Sequence, residues 1–195
     1  MNMFGGVMAG ARDTARRETE TRVLAASDAL FRERGFADTT IRDIAAAAGV
    51  SAGTVIAVGD KSGLLVAIFD RLIEAEHRKR SCALSTGSAL DRIVALQESF
   101  VDVFADRAEL ARAYASILVA GSHASTVFTQ LAATLITEFR EVLGPGSDAL
   151  ARALHRAYLG TLFLWAASGS DDAVALKEDL RNTMSALCPP DKENP

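Results

Sequence analysis

The chain has 195 residues, a formal net charge of −4, 49% apolar residues and 24% charged ones. That apolar share supplies a core and excludes a chain disordered throughout, while the acidic balance excludes a polycation that coats nucleic acid by charge alone. The longest apolar runs, 64–69 and 162–167, fall far below the roughly 20 residues a bilayer-spanning helix needs, so no membrane partner is expected.

The opening MNMFGGVMAGARD carries no basic residue ahead of its short apolar part and reads as a flexible tail over 1–13 rather than a leader. A first helix is predicted from about Thr14 to Arg34. Val23, Leu24, Ala26, Leu30 and Phe31 form its buried stripe, and Gly35 stops it. Two short helices follow with helix-turn-helix spacing. Counting Ile41 as the first place, the fifth is Ala45, where a small side chain lets two helices approach. The ninth is Gly49, which suits a left-handed turn. Ile44, Ala48, Val50, Val55 and Val58 take the apolar places between the helices. Thr40 with Asp43 makes a capping pair for the first, and Ser51 caps the second. A short hairpin with chance spacing would meet these places only by coincidence of spacing and caps together.

A fourth helix starts at Asp60 or Lys61 and runs to about Lys79, with Leu64, Leu65, Ile68, Phe69, Leu72 and Ile73 on its apolar face. The Ser- and Gly-rich stretch 81–88 is a loop. Five more helices are predicted at 89–105, 109–120, 122–143, 147–168 and 171–187. Residues 188–195 form a frayed tail. Three of the four prolines lie in that tail, and no run alternates with period two. The fold class is therefore all-α with about nine helices. A helix-turn-helix domain spans 14–60, and a second helical domain spans 61–187.

Catalytic and metal chemistry find little support. Glu74 and His77 make one Glu-x-x-His pair, but His123 and His155 have no glutamate three residues before them, and a di-metal bundle needs two such pairs. There is no phosphate loop or nucleophile elbow. No enzyme activity, cofactor or metal is expected. Cys82 and Cys188 lie far apart and read as reduced thiols in a cytoplasm. Through Lys61 the head holds eight bases (Arg12, Arg16, Arg17, Arg22, Arg32, Arg34, Arg42, Lys61) and eight acids (Asp13, Glu18, Glu20, Asp28, Glu33, Asp38, Asp43, Asp60). Placement rather than sum must then provide any phosphate-binding face, with Arg12, Arg16, Arg17, Arg42 and Lys61 as the candidates.

With LAASDALFRERGF, ADTTIRDIAAAAGVSAGTV and a lysine followed shortly by Leu-Leu, residues 22–65 resemble the N-terminal domain of TetR-family transcriptional repressors. The resemblance implies a homodimer on a double-stranded, palindromic DNA operator. Its recognition helix would present Ser51, Ala52, Gly53, Thr54, Ile56 and Ala57 to the major groove. Thr40, Arg42 and Lys61 would meet phosphates. One departure stands out: Val55-Ile56-Ala57-Val58-Gly59-Asp60 lacks the aromatics the family usually carries there, and no side chain on that face makes a bidentate base contact. Readout through thymine methyls, backbone amides and DNA shape is predicted. The alternative is a dimeric small-molecule-binding protein with weakened or lost operator binding.

The same resemblance implies a pocket for a small hydrophobic ligand in the second domain. Phe100, Phe104, Tyr114, Leu118, His123, Phe128, Leu131 and Phe163 are its candidate residues, with Gln97 and Tyr158 as further polar handles; an ordinary core is the plainer reading of each. It also implies pairing of the last two helices with their twins. Leu150, Leu154, Tyr158, Leu162 and Trp165 form a broad apolar stripe on one, and Leu176, Leu180, Met184 and Leu187 form a stripe on the other. Gly160 permits close approach. A monomeric bundle burying these faces internally is the competing arrangement.

Overall fold

The computed structural model describes residues 5–80 and 87–188. The chain termini at 1–4 and 189–195 and the expected loop residues 81–86, with Cys82, lie outside them. Nine helices occur among the described residues: α1 (Gly5–Asp38), α2 (Ile41–Ala48), α3 (Ala52–Val58), α4 (Lys61–Arg80), α5 (Ala89–Ala105), α6 (Ala108–Ala120), α7 (Thr126–Leu143), α8 (Asp148–Ser168) and α9 (Ala173–Leu187). They fall into two compact units, one ending at Ile68 and the other starting at Phe69. The seam lies inside α4, eight residues beyond the expected boundary at 60. The reason is that Leu64, Leu65, Val66 and Ile68 are all buried in the first unit.

In the first unit α1 begins at Gly5, so residues 5–13 are helical rather than a tail. They contain no proline, so nothing in the backbone bars the helix from starting ahead of Thr14. Gly35 breaks the helical path at φ 83° and ψ 160°, a left-handed geometry only glycine takes without strain. Thr39, 1% exposed, ties the break together: its hydroxyl donates to the carbonyls of Gly35 (2.8 Å) and Leu30 (3.3 Å). Between α2 and α3, Gly49 takes φ 64° and ψ 40°, and Val50 N–H donates to Ala45 O (3.0 Å). The two helices meet at 102°, within the range of helix-turn-helix motifs. Ile44, Ala45, Ala48 and Val55 fill the space between them, with Val23, Leu24, Leu30 and Phe31 of α1 also buried.

In the second unit α8 lies against α6, α7 and α9, and α5 lies against α6, α7 and α9. The core collects Ile93, Phe100 and Phe104 from α5, Tyr114 from α6, Leu135 and Phe139 from α7, Leu154 from α8, and Leu176, Leu180 and Met184 from α9. Phe69, at the start of this unit, stacks on Tyr114 (4.6 Å between centroids) and Phe104 (5.8 Å). Among the described residues no single helix is long and apolar enough to cross a membrane.

Candidate functional site

The first candidate site is the outward face of α3 with the ends of its neighbours. Both short helices are capped as their sequence dictates. Thr40 Oγ1 accepts from Asp43 N–H (3.2 Å), while Asp43 Oδ2 accepts from the Thr40 amide (2.9 Å) and hydroxyl (2.6 Å). These bonds, with Arg34 nearby, hold the Asp43 carboxyl below the usual carboxylate range. They also engage both protons Thr40 could offer a phosphate, so the phosphate contact expected of Thr40 is not available in this conformation. Ser51 Oγ accepts from Thr54 N–H (3.1 Å) and pairs with the Thr54 hydroxyl (2.8 Å). Gly53, Ile56 and Ala57 are exposed, Ile56 by 61%, and Ala52 and Thr54 are half-buried. Arg42 is exposed on the first turn of α2. A cleft along α3 is lined by Ala15, Arg16, Thr19 and Glu20 of α1 and by Thr54, Ala57 and Val58, which puts an exposed arginine beside the candidate recognition face.

Lys61 sits differently from expectation. Its ammonium donates to the carbonyls of Phe36 (2.8 Å) and Ala37 (3.0 Å) and lies 4.6 Å from the centre of the Phe36 ring. The Gly35 break leaves those carbonyls at a helix end without helical donors. The lysine therefore serves the packing of its own unit, and a phosphate role would compete with these bonds.

The second candidate site is a cavity in the other unit, lined by Phe104, Ala111, Tyr114, Ala115, Leu118, Phe128, Leu159, Leu162, Phe163, Trp165 and Ala166. Five expected residues line it: Phe104, Tyr114, Leu118, Phe128 and Phe163. Three do not. Phe100 is wholly buried elsewhere in the core, Leu131 is half-buried off the cavity, and His123 lies in the turn after α6 beside the Ser122 hydroxyl (3.5 Å). Gln97 faces Met184 (Nε2 to Sδ 3.5 Å), and Tyr158 packs edge-on with His155. Leu162 and Trp165, expected at a dimer interface, instead form cavity wall. The volume is about 40 Å³, room for a water or two, against roughly 300–1,000 Å³ for ligand pockets.

Near Tyr114, Ser125 Oγ donates to Asp70 Oδ1 (2.6 Å) and accepts from Phe128 N–H (2.8 Å), capping α7. Burial raises the Asp70 carboxyl, partly opposed by the Ser125 bond and reinforced by Glu74. Burial likewise raises the Tyr114 phenol. A raised carboxyl pKa means the folded chain holds its proton more tightly than the unfolded chain. Stability is then fully present at low pH and falls as pH rises from the ordinary carboxylate value through the folded one. Asp70→Asn, which keeps an acceptor for Ser125, should raise the melting temperature at neutral pH and lose that advantage near pH 4. Equal melting temperatures for both proteins at neutral pH would remove Asp70 as a site of desolvation cost.

The expected dimer residues are mostly spent inside one chain. Leu154, Tyr158, Trp165, Leu176, Leu180 and Met184 are at most 8% exposed within a single protomer. An apolar stripe in sequence does not distinguish a neighbour in the same bundle from a partner chain, and here the bundle takes it. Leu150 is half-buried and Leu187 is 40% exposed. The open face of α8 carries Arg152, Arg156, Gly160 and Leu164, and that of α9 carries Val174. Among the described residues no group of three His, Cys, Asp or Glu side chains is placed to hold a metal.

Residues 23–68 match the family model described as bacterial regulatory proteins, tetR family. A search of curated proteins gave no match. Solved structures similar to the chain include a TetR transcriptional regulator from Rhodococcus sp. RHA1 (17% identity, 88% of this chain and 95% of that one, TM-score 0.65). A TetR regulator from Haloarcula marismortui ATCC 43049 is similar too (20%, 88% and 96%, 0.65). So is Thermus thermophilus FadR, a TetR-family repressor solved with lauroyl-CoA (23%, 90% and 98%, 0.57). Residues 23–68 are thus a tetR-family regulatory domain with a DNA-binding helix-turn-helix, on a chain that has the fold of TetR-family transcription regulators.

Proposed function

We propose that this chain is a ligand-responsive transcriptional regulator. It binds a palindromic operator as a homodimer, acts as a repressor, and is released by a small hydrophobic ligand. The observation that carries the reading is α3 itself: seven residues, capped, packed through Val55, with Gly53, Ile56 and Ala57 exposed on its outward face. Gly53 sharpens it. A Cβ built there would meet only Ser51 Oγ at 3.7 Å, so packing does not demand glycine in a helix where alanine is better by about 1 kcal/mol. Close approach of a DNA backbone gives it a reason. A fold shared with a repressor solved with lauroyl-CoA supports a ligand-controlled body.

The test is fluorescence anisotropy against DNA flanking the protein's own gene, at two salt concentrations with excess competitor. Binding that survives competition supports the regulator. Arg42→Ala should weaken binding to every sequence alike and reduce the salt slope by about one; an unchanged slope would take Arg42 out of the phosphate-contacting set. The second reading, a dimeric small-molecule binder with weakened or lost operator binding, is favoured by the missing aromatics over 55–60 and by the internal commitment of Thr40 and Lys61. Weak, competitor-sensitive binding at both salts would support it.

For the dimer, the outward face of α8 replaces the buried stripe. Leu164 is 71% exposed, and Val174 on α9 is 67% exposed. Among the described residues nothing beyond the adjacent backbone of α8 comes within 4 Å of a Cβ built at Gly160, so packing inside the protomer does not demand a glycine there. Two copies meeting there about a two-fold axis would use it for close approach. Gly160→Arg should convert a sedimenting dimer to monomer with little change in helical content. A dimer that persists at micromolar concentration would place the interface elsewhere.

A further inference from the structure

The cavity wall is apolar, yet two buried donors end there without acceptors. Tyr114 (2% exposed) and Trp165 (8% exposed) both line the cavity, and neither the Tyr114 hydroxyl nor the Trp165 indole N–H has a hydrogen-bond partner. Buried donors are rarely left so. The Ser125 oxygen near Tyr114 gives its proton to Asp70 and accepts from the Phe128 N–H, and it does not meet the phenol in hydrogen-bond geometry. No charged residue lines the cavity. Several cations of this unit are held elsewhere: Arg112 by Asp171 (2.8 Å), Lys177 by Asp102 (2.6 Å), Arg140 by Asp148 (2.8 Å) and Arg181 by Asp91. An anionic headgroup would find no counter-charge in the wall and the Asp70 carboxylate nearby.

We infer that the ligand of this cavity is an uncharged, largely hydrocarbon molecule whose carbonyl or hydroxyl oxygen accepts hydrogen bonds from Tyr114 and Trp165, and not a carboxylate or an acyl-CoA. The inference rests on the ligand-responsive reading above and narrows it. The indole N–H only donates, and a phenol in apolar surroundings donates before it ionises, so both groups call for an acceptor. The half-exposed rings of Phe128 and Phe163 give way to admit it, since the space of about 40 Å³ holds no more than a water or two.

Trp165 is the chain's single tryptophan and reports directly on the site. The experiment titrates the full chain with 2-undecanone, naphthalene, undecanoate at about pH 8 and lauroyl-CoA, reading tryptophan emission. Saturable binding is expected for the ketone and for naphthalene, with undecanoate and lauroyl-CoA at least about tenfold weaker. Tyr114→Phe, a conservative change, should weaken the ketone roughly fivefold and leave naphthalene unchanged. Undecanoate or lauroyl-CoA binding as tightly as the ketone overturns the inference and leaves the ligand-responsive reading standing. So does a Tyr114→Phe variant that alters ketone and naphthalene equally or not at all. A tryptophan silent to all four compounds, as for a cavity that holds only water, overturns both.

Discussion

Phe69→Ala should cost the second unit about 3–5 kcal/mol. The ring is wholly buried and is stacked on Tyr114 and Phe104, so its removal takes dispersion and burial from three aromatics together and leaves a void the backbone of α4 cannot close. In a chain of this length the loss corresponds to a fall on the order of 10 °C in melting temperature. A urea melt followed by circular dichroism measures it, and Trp165 emission should shift to the red as water enters. A loss below about 1 kcal/mol would be less than burial of the ring alone is worth and would mean that Phe69 does not pack in this core.

Ala45→Leu is the corresponding result for the first unit. Ala45 is 6% exposed, and its carbonyl accepts the amides of Gly49 and Val50 where α2 turns into α3. Three added carbons have no space there without prising the helices from their 102° crossing, at a cost of about 1–3 kcal/mol. DNA affinity should fall by more than stability alone explains, because the recognition helix is displaced even in molecules that remain folded. Parallel melts and anisotropy titrations separate the two effects. Normal stability together with normal binding would show that α2 and α3 do not pack through this residue.

The helix-turn-helix was legible from sequence because what specifies it is local. Thr40, Asp43, Gly49 and Ser51 each act within a few residues of themselves, and the structure gives each its expected cap or turn. The all-α body was legible for the same reason, as helix periodicity and glycine stops. The site residues of the body were not. Trp165 and Leu162 lie on one apolar stripe of α8 with Leu154 and Tyr158, and periodicity says only that the stripe is hidden, not from whom. Some of it packs in the core, some walls the cavity, and the face left open belongs to Gly160 and Leu164. The internal bonds of Lys61 were hidden for a different reason. Its partners are backbone carbonyls 24 and 25 positions earlier, freed by the break at Gly35, and no side-chain pattern announces them.

That lysine has one more consequence. By joining the first turn of α4 to the end of α1, it closes the whole helix-turn-helix into a loop of about 25 residues held shut by a non-covalent clasp. Closing a loop of that size removes chain entropy from any partly opened form of the segment. While the clasp holds, opening α2 or α3 gains less chain entropy than it would in an unclosed segment. Any agent that neutralises this one charge therefore releases the closure between the end of α1 and the start of α4.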